Sequence, residues 1–279
     1  MNRPLPSADK AHPPLAELPE QAATGENAAI YDALRQSLGV PMVNLVFRHM
    51  ATVPACLPWA WACLSPVYAN EAIHSAGAAM AAVVKGPATP VSRDMAGMPL
   101  AAIIDTLDAY IRANPINCIG LGLLERALEG QDAIPLLATA RPATVKPIPA
   151  ILPMADLAQL PQSTLDDLRR AATALHRAEG PVIPSLLRHF ASWPDLIRLT
   201  SDQLVAMDRN GDLDRFDQAM TAIADDAVAT LRLDAVPKPD ALTAETIQML
   251  ARQFRPNMTR ITVVAVALRD ALVSTRLAS

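Results

Sequence analysis

Two Arg-His pairs, Arg48-His49 and Arg188-His189, stand at matching places in a 279-residue chain that has only five histidines. Facing each other across an axis, His49 and His189 would act as metal ligands or as an acid/base pair, since imidazole changes protonation near neutral pH. The plainer alternative pairs the arginines with nearby carboxylates or carbonyls and lets the histidines satisfy helix ends. No Cys, Asp or Glu lies three or four residues from either histidine, so no local chelate forms and we assign no metal. Ser185 follows Pro184, and Asn114 precedes Pro115. Both read as short polar residues at helix starts in different halves of the chain. Outward-pointing N–H groups there favour an anion, so the two either cap their own helices or meet at a carboxylate between them. The run Asp208-Arg209-Asn210-Gly211-Asp212-Leu213-Asp214 looks like a calcium loop, but Leu213 stands where the tight turn needs Gly and Ala219 where a bidentate Glu is required. It reads instead as an acidic turn that caps the next helix. Cys56, Cys63 and Cys118 form no C-x-x-C pair and read as small buried hydrophobes. No nucleophile elbow, zinc-protease helix or phosphate-cradling glycine loop is present.

The elements that must hold these residues are helices. Half of the residues are apolar (51%), yet only 4% are aromatic and 10 are Gly, which argues against the glycine-punctuated, aromatic-rich strands of a sandwich or barrel. Ala- and Leu-rich runs favour helix, and 25 prolines cut them apart. A formal charge of −4 excludes a generally basic nucleic-acid binder. Met1 to Glu20 lacks the apolar core of a secretory signal. Met50 to Asn70 carries no charge, but its prolines make it a buried pair of short helices rather than a membrane span. The expectation is a soluble cytoplasmic protein with neither nucleic acid nor membrane as partner.

The chain is written twice. Pro41 to Pro54 (PMVNLVFRHMATVP) aligns without gaps to Pro181 to Pro194 (PVIPSLLRHFASWP), with Pro41/Pro181, Arg48/Arg188, His49/His189, Ala51/Ala191 and Pro54/Pro194 identical. Leu15 to Gln21 (LAELPEQ) recurs as Leu157 to Ser163 (LAQLPQS), and LERAL from Leu124 as LRDAL from Leu268. All three echoes fall near one period, the mark of a tandem duplication. The spacing predicts a helix through Ile30, Leu34 and Leu38 that stops at Gly39, with Pro41 opening the next. In the second copy Ser163 caps a helix through Leu165, Leu168 and Leu175, which stops at Gly180 before a restart at Pro181. Leu100 to Ile111 forms one amphipathic helix, with Asp105, Asp108 and Arg112 outward. Thr243 caps its counterpart through Ile247, Leu250 and Phe254. The helices Ile116 to Leu124 and Ile261 to Leu268 are apolar on nearly every side and belong inside a bundle, where Gly120 and Gly122 admit a close neighbour. Thr139 to Pro161 reads as an extended proline-rich connector. The reading is an all-α pseudo-dimer with a cleft between two repeats: a tail over 1–14, repeat 1 over 15–138, a linker over 139–156 and repeat 2 over 157–279.

IYDALRQSLGVPMVNLVFRHMATVPACLPWAW (Ile30 to Trp61), Ala113-Asn114-Pro115 and GPVIPSLLRHFASWP (Gly180 to Pro194) together resemble the group I 2-haloacid dehalogenases, over a stretch from about Leu15 to Leu272. The resemblance implies an all-α pseudo-dimer of two repeats with its active site between them, and hydrolysis of the carbon–halogen bond of small 2-halocarboxylic acids. An aspartate-activated water attacks the chiral carbon without an ester intermediate, and no cofactor is used. On this chain the resemblance gives Asn114 the role of holding the attacking water. Ser185 would bind the substrate, with Leu186, Phe254 and Met42 completing the substrate site. The family's aspartate position falls on Leu186 and a site tyrosine on Phe254. Losing general-base assistance typically costs about 10²–10⁴ in rate. Three readings follow: dehalogenation with another base, for which His189 is the candidate; hydrolysis of another small 2-substituted acid; or a non-catalytic protein that binds a small carboxylic acid. Pairing of the pseudo-dimer into a true homodimer is left open.

Overall fold

The computed structural model describes residues 15–85, 97–130, 141–176, 183–234 and 236–278. Its helices are α1 (Gly25–Leu38), α2 (Leu45–Met50), α3 (Cys56–Tyr68), α4 (Glu71–Ala82), α5 (Leu100–Leu128), α6 (Gln162–His176), α7 (Ser185–Phe190), α8 (Pro194–Arg209), α9 (Asp212–Thr230) and α10 (Ala241–Ala278). No strand forms among the described residues, where an isolated bridge joins Asn70 to Pro142. None of these helices is long and apolar enough to cross a membrane.

The helices fall into two series of five in the same order, α1 to α5 and α6 to α10, each preceded by a short 3-10 turn (Glu20–Ala22 and Leu157–Gln159). The backbone repeats the motif in detail. Leu18 N–H donates to the Arg48 carbonyl (2.9 Å) and Ala155 N–H to the Arg188 carbonyl (3.0 Å). His49 Nδ1 meets the Ala16 carbonyl (2.7 Å), and His189 Nδ1 meets that of Leu152 (2.5 Å). These contacts make Leu18 the counterpart of Ala155. The LAELPEQ echo sets Leu18 against Leu160 instead, so it is out of register with the fold. The Arg-His helices fix the true equivalence.

The long α5 and α10 pack against each other along the middle of the molecule, and α4 and α9 cover them. Each long helix is continuous through an internal proline, Pro115 or Pro256. This corrects the expectation that Asn114 opens a separate helix. Proline removes one N–H and one hydrogen bond, whereas every residue from Ala113 to Leu124 is buried, and that packing holds both sides of the proline in one rod. Gly120 admits Tyr68 of α3, whose hydroxyl occupies the place a Cβ would need. Gly122 likewise leaves room for Val228 and Arg255.

Several boundaries differ from expectation. α1 stops at Gly39 as read, in the left-handed conformation (φ 61°). α2 opens after Asn44 rather than at Pro41, and the Val43 N–H donates to the Glu20 carboxylate (2.9 Å). The uncharged stretch before Asn70 makes the single helix α3, not a pair. Its Pro58 sits in the first turn, where N–H groups lack helical partners anyway. Ser163 lies inside α6 rather than capping it. Asp240, not Thr243, caps α10, its carboxylate accepting the Thr243 N–H (2.7 Å). Gly180 and Pro181 lie outside the described residues. All three cysteines are free and buried.

Between the repeats the connector runs extended, strapped to repeat 1. Ala143 N–H donates to the Ala69 carbonyl (2.8 Å) and Ile148 N–H to that of Gly39 (3.0 Å). Arg112, expected on the outer face, clamps the strap by donating to the Gly39 (2.8 Å) and Lys146 (2.7 Å) carbonyls. The connector then brings Leu152 to repeat 2, its N–H on the Thr106 hydroxyl (3.0 Å) and its carbonyl on His189.

Candidate functional site

Ser185, the first residue of α7, bears on α5 at a residue that sequence reading passed over, one turn from Asn114. Tyr110 lies four residues before Asn114, one turn away on the same face of α5. Ser185 lies close enough to act on its phenol, which is 3.1 Å from His189 Nε2. The two rings meet edge to face at 5.7 Å.

The protonation of this chain follows from its partners. A carbonyl only accepts, so the His189 Nδ1 that faces Leu152 carries the proton and Nε2 holds a lone pair. Burial lowers the His189 pKa, partly opposed by backbone hydrogen bonds, and the ring is neutral near pH 7. Burial pushes the Tyr110 phenol up; Arg48, Ser185 and Arg188 pull it back only in part. Tyr110 therefore stays protonated and donates to His189, while Ser185 donates to Tyr110. The order runs Ser185 to Tyr110 to His189 to the Leu152 carbonyl, and it crosses from one repeat to the other and back.

Asn114 is 3% exposed and accepts a hydrogen bond from Nδ2 of Asn44, the residue before α2 (3.0 Å). This bond uses one amide group on each side. Asn44 Oδ1 and Asn114 Nδ2 are left buried with no partner, a costly arrangement unless something fills it. The Nε atoms of Arg48 and Arg188 are also buried without a hydrogen-bond partner. Both guanidiniums act on Tyr110, so the surroundings of the Ser185–Tyr110 pair are electropositive. Arg48 also pairs with Glu17 (3.0 Å).

Leu186 is 1% exposed and packs in the apolar core beside Leu187 and Phe190. It supplies no proton acceptor where the resemblance puts an aspartate. Met42 and Phe254 are partly buried and pack against the same core; neither takes part in the hydrogen-bonded chain. His49 and His189 each hold a chain carbonyl through Nδ1, and among the described residues no three His, Cys, Asp or Glu side chains group to hold a metal. Asp208 and Arg209 close α8, and Gly211, left-handed (φ 72°), leads into α9, where Asp212 pairs with Arg215 (2.8 Å).

Two members of the cluster, Asn44 and Tyr110, were not read from sequence. The i, i+4 spacing from Asn114 was the available signal for Tyr110. For Asn44 it was the gapless repeat alignment, which sets Asn44 opposite Pro184, the residue that leads into Ser185.

An all-α pseudo-dimer with a polar cluster at the seam between its repeats defines a fold class that solved structures share. A D-2-haloacid dehalogenase mutant in complex with D-2-CPA superimposes with a TM-score of 0.76 at 16% identity, over 92% of this chain and 96% of the other. A second D-2-haloacid dehalogenase mutant gives 0.76 at 17% identity, over 98% and 99%. A complex of D-2-haloacid dehalogenase with L-LA gives 0.75 at 17% identity, over 98% and 99%. No protein-family model matches the sequence, and no curated protein matches it either. This chain has the group I 2-haloacid dehalogenase-like fold.

Proposed function

We propose that this protein is a dehalogenase-like binder of small carboxylic acids, with its site at the seam of repeats spanning about 15–138 and 157–279. The reading assigns the ligand carboxylate to Ser185 and Tyr110 and the 2-position to Asn114, with Leu186, Met42 and Phe254 as apolar walls. The observation that carries it is the buried, half-satisfied Asn114 one turn from a phenol that feels two arginines. In the free protein both hydroxyl protons are committed, that of Ser185 to Tyr110 and that of Tyr110 to His189, so binding turns them to the carboxylate, whose negative charge the two arginines favour.

With Leu186 at the aspartate position, attack of water on a 2-haloacid lacks its base, and fast halide release is not expected. A second reading keeps turnover: His189, neutral and with its lone pair on Tyr110, accepts a proton relayed through the phenol. Titration calorimetry with propionate and both 2-chloropropionates, run beside a chloride-release assay, tests the two. Binding abolished by Ser185→Ala with no release above buffer supports the binder. Release that disappears in His189→Asn supports the relay. Absence of binding by all three acids overturns the site.

A further inference from the structure

We propose that a carboxylate bound at the Ser185–Tyr110 pair draws a proton from solvent onto His189 Nε2, so that affinity for the acid rises as pH falls. This deepens the small-carboxylate reading and rests on it. The Leu152 carbonyl only accepts, and His189 Nδ1 lies 2.5 Å from it, so that nitrogen keeps its proton whatever the charge of the ring. Every change of state therefore falls on Nε2, which faces the Tyr110 hydroxyl at 3.1 Å. A neutral ring takes the phenol proton there. When the phenol turns that proton to a ligand, the Nε2 lone pair is left without a donor in a residue only 4% exposed. A protonated ring reverses the bond: Nε2 donates to the phenol oxygen, and the phenol O–H is released toward the carboxylate. Binding and protonation together satisfy every group, and binding alone does not.

The groups around the ring set the direction. Burial, joined by Arg188 of α7 itself, keeps the imidazole neutral in the free protein, against the pull of the Leu152 and Pro153 carbonyls on the strap. α5 contributes Tyr110, on which Arg48 of α2 also acts. α8 packs against α7, but its Asp195 pairs with Arg198 at the surface. A bound anion brings the negative charge that lets the ring hold a second proton.

The test is titration calorimetry of the full chain with propionate from pH 8 to 6, in buffers of different ionisation enthalpy. Propionate stays ionised over this range, so the pH dependence belongs to the protein. Its dissociation constant should fall by at least about tenfold from pH 8 to 6, as a linked pKa shift of about one unit requires, and the buffer series should show net proton uptake. His189→Asn should bind with no uptake and no pH slope. His176→Asn, which removes another histidine lowered by burial, should keep both. Nitrogen NMR of the wild-type chain labelled at histidine reads the same event should the His189 variant not fold. Adding propionate at pH 7 should turn one imidazole from the singly to the doubly protonated pattern. Binding without proton uptake, uptake that survives in folded His189→Asn, or imidazoles unchanged in the saturated complex overturns the proposal and leaves the carboxylate site standing. Failure of propionate to bind at any pH overturns both.

Discussion

The Tyr110 phenol donates to His189 Nε2 at 3.1 Å, so the two repeats are joined by a buried hydrogen bond at their seam. Tyr110→Phe keeps the ring and removes the donor. It leaves the imidazole lone pair buried and unpartnered and deprives Ser185 of its acceptor, which costs about 1–3 kcal/mol. Urea unfolding should show a lower midpoint with an unchanged slope. An unchanged midpoint would mean that the phenol contributes nothing to the seam.

Burial holds the His189 pKa below its ordinary value, and the sign of the resulting pH dependence is fixed. Above the unfolded pKa, about 6.5, the ring is neutral in both states and the linkage term vanishes. As pH falls below it, the unfolded chain takes up a proton that the folded chain resists, so stability drops by at most about 1.4 kcal/mol per pH unit for this group. His176, also lowered by burial, acts in the same direction. His189→Asn, whose Nδ2 can still donate to the Leu152 carbonyl, should flatten but not abolish the loss between pH 7 and 5. An undiminished slope in urea titrations of the variant contradicts the assignment.

Gly120→Ala places a methyl against the Tyr68 hydroxyl, which itself donates to buried Asn117 (2.9 Å). Overpacking of this kind costs about 1–3 kcal/mol. Gly211→Ala meets nothing within 4 Å and suffers only its left-handed backbone (φ 72°), about 1 kcal/mol. Removing the hydroxyl with Tyr68→Phe should recover part of the Gly120→Ala loss and none of the Gly211→Ala loss, a coupling that a double-mutant cycle measures.

Leu186→Asp returns a carboxylate to the first turn of α7. Burying it raises its pKa and costs stability, so the variant is assayed after circular dichroism confirms helix. Chloride release from one enantiomer of 2-chloropropionate should rise by at least about tenfold over wild type, with general-base assistance worth about 10²–10⁴ as the ceiling. A folded variant with no gain would mean that Leu186 does not stand at the water-activating position.

Much of the architecture was legible because duplication and proline punctuation are written in local sequence. The Arg48-His49 and Arg188-His189 helices, Gly39 and the extended connector follow from turn chemistry and repeat spacing alone. Asn114 was misread as a helix start because Pro115 ordinarily breaks helix. Only burial on every side of α5, a tertiary effect, keeps the rod continuous. The LAELPEQ echo misled for the opposite reason: short identities survive out of register, whereas the hydrogen bonds of Leu18 and Ala155 report the true one. The cluster was half visible. Ser185, Asn114 and His189 carried signals of their own, but Tyr110 sits in an ordinary apolar stripe, and its role appears only when α7 is laid against α5. The clamp formed by Arg112 was likewise hidden, since a charged residue on a helix face reads as solvated until a strap crosses it.

A crystal structure of the protein with bound propionate addresses the account most directly. The carboxylate should lie within hydrogen-bond distance of the Ser185 hydroxyl and the Tyr110 phenol, with the 2-carbon facing Asn114 Nδ2. Propionate bound elsewhere at saturating concentration, with the Asn44–Asn114 pair closed over by side chains, would contradict it.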